Sequence, residues 1–211
     1  MVDTEYLHHQ SFKAVLEQYG ITPMPNALGV IHISGISAEA NWERFGRLYG
    51  LDADVAELSR KKSHIHLGLL QDEVTPMPGL IKLLKNLHMH GQHIAIASSS
   101  IREHIDMIID RLSITHYFNV VVSGDEVIHG KPAPDIYLKA ASALGIEPRY
   151  CVALEDAVKG AQAASAAGMR VVAVPTELTR HEDFSFADAV VGSLEDVDDK
   201  MLDRLFQDAQ K

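Results

Sequence analysis

Four short apolar runs, His93-Ile-Ala-Ile-Ala97, Val120–Val122, Cys151-Val-Ala-Leu154 and Val171–Val174, follow one another in the second half of the chain. Strands so short and so continuously apolar must be buried on both faces, because alternation would otherwise mark a wet side. Between them lie segments of helical character. One opens at Ser100, which with Glu103 has the spacing of a capping box, one spans Asp135 to Leu144 and stops at Gly145, and one spans Ala157 to Ala167 and stops at Gly168. A helix runs from Gly79 to His90 before the first strand, and a last short strand near Ala189–Val191 precedes a C-terminal helix. Strands joined by helical crossovers pair in parallel. The expected architecture is α/β, with a Rossmann-like parallel sheet as its core.

The first part of the chain reads differently. Tyr6, Leu7, Phe12, Val15, Leu16 and Tyr19 recur at helical spacing between about Thr4 and Tyr19. Ser37 is placed to cap a second helix carrying Trp42, Phe45 and Leu48 and ending at Gly50, and a third helix covers about Asp54 to Gln71. Three helices with no strand between them make a small helical cap over residues 4–75. Residues 1–3 and 76–211 then form the α/β core, and Val74-Thr-Pro-Met-Pro-Gly79 is the hinge.

Composition limits the function classes. With 19 Lys and Arg against 29 Asp and Glu, the formal charge is −10, so no nucleic acid partner and no anionic membrane surface is expected. Cys151 is the only cysteine, which excludes an internal disulfide, and the opening MVDTEYLHHQ lacks the apolar stretch of a signal peptide. A cytoplasmic monomer is expected.

In an open α/β sheet, ligands bind beyond the carboxyl ends of the strands. Ser98, Ser99 and Ser100 follow the first strand, Lys131 lies in the loop after the second, and Glu155 and Asp156 close the third. Hydroxyls, a lysine and paired carboxylates in one crevice suit a phosphoryl group and Mg²⁺. Each motif alone has an ordinary structural explanation, as a cap or a solvated pair. Their shared placement carries the functional reading. The histidines His64, His66, His88, His90 and His93 have no spacing that makes their side chains converge on a metal, and Cys151 reads as core.

Ala97-Ser-Ser-Ser100, Gly130-Lys-Pro-Ala-Pro-Asp135 and Leu154-Glu-Asp-Ala-Val-Lys-Gly160 resemble motifs two, three and four of the haloacid dehalogenase superfamily, in its β-phosphoglucomutase-like phosphatase branch. The resemblance implies that Ser98, with Ser99, binds the transferring phosphoryl group, that Lys131 stabilises it, and that Glu155 and Asp156 hold Mg²⁺. It places Thr4 near the phosphate and His8 at the cap hinge. The substrate class it implies is a small phosphorylated metabolite such as a sugar phosphate. Attack in that family comes from an Asp-x-Asp-Gly motif on a central strand, which should end just before Val2-Asp-Thr-Glu5; Asp3 matches a separate hinge aspartate. Without that strand, four or five buried side chains at about 1.5–3 kcal/mol each are lost, on the order of 10 kcal/mol. The expectation is therefore a start assigned too late or a truncated form, with the 211 residues as written unstable and without turnover.

Phosphomutase activity and a non-catalytic protein binding Mg²⁺ and phosphate are the alternatives. A mutase needs cap cations for a second phosphate, and the matching positions are Ser34 and Ala38, although Arg44 or Arg47 could compensate. Lys61 and Lys62 lie too far along the third helix to act as the Schiff-base lysine of phosphonate hydrolysis.

Overall fold

The computed structural model describes residue 2 and residues 5–26, 31–33 and 36–207. Thr4, Asp3 and Ser34 lie outside the described residues.

Helices α1 (Glu5–Gln18), α2 (Ala38–Tyr49) and α3 (Val55–Glu73) come first. Ser37 caps α2 by accepting from the Ala40 amide, and Gly50 ends it with φ of 66°, a left-handed conformation that glycine adopts without steric cost. Asp54 caps α3 in the same way. The three helices share a core of their own, in which Trp42 meets Phe12 and Phe45 edge-on at 4.9 and 5.6 Å. The chain enters and leaves this unit side by side, since Val2 forms an antiparallel bridge with Pro76 inside the expected hinge.

The remainder alternates: α4 (Leu80–Met89), β1 (Ala95–Ala97), α5 (Arg102–Arg111), β2 (Val120–Val122), α6 (Asp135–Leu144), β3 (Val152–Glu155), α7 (Val158–Ala166), β4 (Arg170–Ala173), β5 (Ala189–Val190) and α8 (Asp199–Gln207). All strand pairs are parallel, with Ala95 opposite Val120 and Val152 opposite Arg170. Side chains alternate strictly between two cores. Ala95, Ala97, Val122, Ala153, Val171 and Ala173 face α6 and α7. Ile96, Val121, Leu154 and Val172 face α4, α5 and α8. The small residues face the alanine-rich α7, whose Ala161, Ala163 and Ala164 are fully buried, so helix and sheet approach closely.

Two expectations need correction. Ser100 does not cap α5: that helix starts at Arg102, preceded by Ile101, with no side-chain cap. The Ser100 amide instead donates to Ser98 Oγ at 3.2 Å, so the serines form a turn of their own before the helix. The sheet falls into two parts. It consists of a β1–β2 pair and a β3–β4–β5 triple, with no pairing between β1 and β3. All three residues of β1 are only half-buried, although they were expected to lie in a fully covered strand.

Candidate active site

The carboxyl ends of β1, β2 and β3 point toward the helical unit, and a cleft of about 680 Å³ separates the two. Its floor contains Ser98, Ser99, Ser100, Lys131 and Asp156. Its roof contains His8, His32, Asn41, Lys62 and Ser63. Sequence reasoning therefore named residues that the fold does bring together, from three separate strand ends and from α1.

Local structure explains how each is held. Ser98 extends β1, its amide bonded to the Val122 carbonyl at 3.1 Å, and the Gly124 amide donates to the Ser100 carbonyl at 2.9 Å. The serine turn is thereby stitched to the end of β2. Lys131 is buried and donates to the Ala97 carbonyl at 3.1 Å, to the Tyr137 hydroxyl at 3.2 Å and to Glu155 Oε1. Tyr137 also donates to Glu155 Oε1. Burial, reinforced by the Glu155 charge, pushes the Tyr137 phenol well above its ordinary range, so it remains a donor.

Glu155 and Asp156 diverge. Asp156 lines the cleft, and its carbonyl accepts from Thr179 Oγ1 at 2.6 Å. Glu155 is turned toward Lys131 and Tyr137, behind the cleft floor. Gly160 is what allows this, because a Cβ there would collide with the Glu155 carboxylate. The glycine in the fourth motif thus has a packing reason that its sequence position alone did not show. Among the described residues no group of three metal-ligating side chains is gathered. Mg²⁺ needs only one or two carboxylates when water and substrate phosphate complete its octahedron, so Asp156, the one that lines the cleft, fits that ion, while Glu155 is engaged by Lys131 and Tyr137.

The roof holds Lys62 and His66, which the sequence reading weighed and set aside, and the neighbouring His104, which it did not name. Lys62 is buried, donates to His8 Nδ1 at 2.7 Å and lies over the Phe12 ring. His66 stacks on His8 with ring centroids 4.0 Å apart, and His104 of α5 reaches across to Ser63 of α3 at 2.8 Å. Lys62 and His66 are four apart on α3 and so share a face, the signal that could have found them. Arg44, by contrast, bonds the Ile31 carbonyl and does not line the cleft.

Burial, then the nearby Lys62 charge, lowers the His66 pKa to about 2 and the His104 pKa to about 4, against an ordinary 6.5, and holds His8 well below that value too. The consequence for stability has a definite sign. Above pH 6.5 folded and unfolded chains are both neutral at these rings and the full stability is present. As pH falls below 6.5 the unfolded histidines take up protons that the folded ones refuse, so stability is lost progressively, through about pH 4 for His104 and toward about pH 2 for His66. Each ring contributes a slope approaching about 1.4 kcal/mol per pH unit within that window. Urea unfolding between pH 7 and 4.5 should show this slope, and His66→Phe should reduce it; an unchanged slope in the variant would contradict the assignment.

Comparison with known proteins identifies the family. Residues 1–174 match the haloacid dehalogenase-like hydrolase family. The chain belongs to that family. It is 38% identical to Protein CbbY of Rhodobacter capsulatus over 141 residues, 65% of this chain and 62% of that protein's length. It is 35% identical to the fructose-1-phosphate phosphatase YqaB of Escherichia coli K12 over 175 residues, 82% of this chain and 90% of that one. The crystal structure of CbbY from Rhodobacter sphaeroides in complex with phosphate superposes with a TM-score of 0.82 at 27% identity, covering 93% of this chain and 91% of that one. No helix among the described residues is long and apolar enough to cross a membrane.

Proposed function

We propose that this hydrolase is an Mg²⁺-dependent phosphatase of a small phosphorylated metabolite, a sugar phosphate being the best fit. The observation that carries this reading is the convergence of the Ser98–Ser100 turn, Lys131 and Asp156 on one side of a cleft. The similarity to a fructose-1-phosphate phosphatase supports it. Ser98 and the following amides hold the phosphoryl oxygens, and the Lys131 ammonium offsets charge on the equatorial oxygens. Asp156, with Glu155 once released from Lys131, would hold Mg²⁺, which would supply Lewis-acid neutralisation of phosphoryl charge. His8, Asn41 and Lys62 on the roof meet the leaving group, and the helical unit acts as a cap that excludes water when closed. In the family the chain belongs to, attack falls to the aspartate of an Asp-x-Asp-Gly motif, which these 211 residues do not contain. The described cleft carboxylates other than Asp156, which are Glu39 and Glu103, match no motif position.

A phosphomutase is the weaker reading, because Arg44 is held against a backbone carbonyl and Ala38 on the roof is uncharged. The test has two parts. Calorimetry on the 211-residue chain should show phosphate binding that strengthens with Mg²⁺ and is lost in Lys131→Met. A chain extended ahead of Val2 by an apolar strand ending in Asp-x-Asp-Gly should hydrolyse sugar phosphates with Mg²⁺ and not with EDTA. Binding without hydrolysis by the extended chain would favour a non-catalytic role. Turnover by the 211 residues alone would overturn the assignment of the nucleophile.

A further inference from the structure

The helical unit meets the core most extensively where α3 packs on α5. At that seam the Ser63 hydroxyl of α3 lies 2.8 Å from Nε2 of His104, the third residue of α5. The His66 ring stands 4.9 Å from the His104 ring, and His8 of α1 stacks on His66 in turn. Three imidazoles from three helices thus form one row that runs from the helical unit into the core. His66 and His104 are 1% and 4% exposed, so two of the rings are shut away from water. Neither takes part in the phosphoryl chemistry proposed above.

A row of this kind closes the seam only while its rings are neutral. The titratable groups that face His104 are Lys62 and His66 of α3 and His8 of α1, with His32 beyond, against His8. On the core side Glu103 and Asp156 line the adjoining cleft. Burial first, and then the Lys62 charge, disfavours the His104 imidazolium, and the opposing hydrogen bond with the Ser63 backbone is outweighed. Position acts in the same direction, because the first turn of a helix is its positive end. We propose that His104 is a proton-controlled latch: neutral, it seats α3 on α5 through Ser63 and holds His8, Asn41 and Lys62 over the phosphoryl-binding floor; protonated, it drives the helical unit off the core. The motion turns about the paired chain at Val2 and Pro76, where the unit is entered and left. Opening frees the ring from burial and from Lys62, so its pKa returns from about 4 to the ordinary 6.5. Above pH 6.5 both states are neutral at this ring and the closed state keeps its full advantage. Below it the open state takes up the proton, and the open-to-closed ratio rises by a factor approaching about tenfold per pH unit, down to about pH 4. The inference rests on the proposed function only for its consequence, that opening withdraws the leaving-group contacts while Ser98 and Lys131 keep the phosphoryl group.

The test is a distance measurement by pulsed electron resonance on the 211-residue chain. Spin labels go on Leu48→Cys in α2 and Leu138→Cys in α6, both exposed, in a Cys151→Ala background. At pH 7.5 one short distance is expected. At pH 5 a longer component should appear, its ratio to the short one at least tenfold above the pH 7.5 value, with unchanged far-ultraviolet circular dichroism. His104→Gln, which can bond Ser63 but cannot take up a proton, should stay short at both pH values. Lys62→Met removes the cation that acts most strongly on the ring and should move the opening to lower pH, which keeps the test decisive if His104→Gln does not fold. A parent distance that ignores pH, opening of His104→Gln equal to that of the parent, or loss of the helical signal together with the distance change would overturn the latch. Calorimetry with inorganic phosphate at pH 7.5 separates the two readings. Opening on schedule without phosphate binding would leave the latch standing and remove the phosphatase reading, and phosphate binding without opening would do the reverse.

Discussion

Replacing Lys131 with Met should destabilise the protein by about 3–5 kcal/mol and abolish phosphate binding. The side chains of Lys131 and Glu155 are 8% and 9% exposed, and the lysine is the only cation that hydrogen-bonds Glu155 among the described residues. Removing one partner of a buried pair leaves the other charge without compensation, which is why the cost far exceeds that of a surface ion pair. The Tyr137 hydroxyl continues to donate to Glu155 but supplies no charge. The double variant Lys131→Met with Glu155→Gln removes both charges and should recover a large part of the lost stability while phosphate binding stays absent. Urea unfolding of the two variants separates the effects. A single variant as stable as the parent would show that the pair is not compensating a buried charge.

Gly124→Ala should be the second severe change, lowering stability by about 1–3 kcal/mol and weakening phosphate binding together. A Cβ at this position would stand against the Ser99 backbone, 2.8 Å from its carbonyl carbon. Backbone atoms cannot swing aside as a side-chain end can, so relief requires the Ser98–Ser100 turn to move away from β2. That turn is where the phosphoryl oxygens are read. Gly68→Ala in α3 is the matched control: a Cβ there meets nothing within 4 Å, and helix propensity makes the change neutral or slightly stabilising. Calorimetry with phosphate and urea unfolding should show both losses in the first variant and neither in the second. Loss of stability with unchanged phosphate affinity would mean that the turn does not form the phosphate site.

The histidine cluster adds a pH dependence that neither variant touches. It also shows how far sequence patterns reach. Lys62 and His66 recur at helical spacing on α3, yet that spacing says only that they share a face, not that the face is turned toward a cleft. Their meeting with His8 and His104 depends on packing among α1, α3 and α5, elements far apart in sequence.

Much of the architecture was legible without coordinates. The bounds of β2 and α6 agree to the residue, Ser37 and Gly50 delimit α2, and Trp42 with Phe45 builds the helical core. These are local properties: hydrophobic period, caps and chain stops act over a few residues and leave a direct trace in the string. The grouping of Ser98, Lys131 and Asp156 was also legible, because strand ends in a parallel sheet must share an edge. Other features were not. That Glu155 turns from the cleft to Lys131, that Gly160 exists to admit it, and that Arg44 is spent on a backbone carbonyl are outcomes of side-chain competition for partners. That β1 and β3 are the strands flanking the break belongs with them, since each strand reads alike in sequence whether or not its second edge finds a neighbour. Local sequence determined which elements form; only the three-dimensional packing decided which edges and charges those elements present to one another, because pairing energy is shared between residues that the chain itself keeps apart.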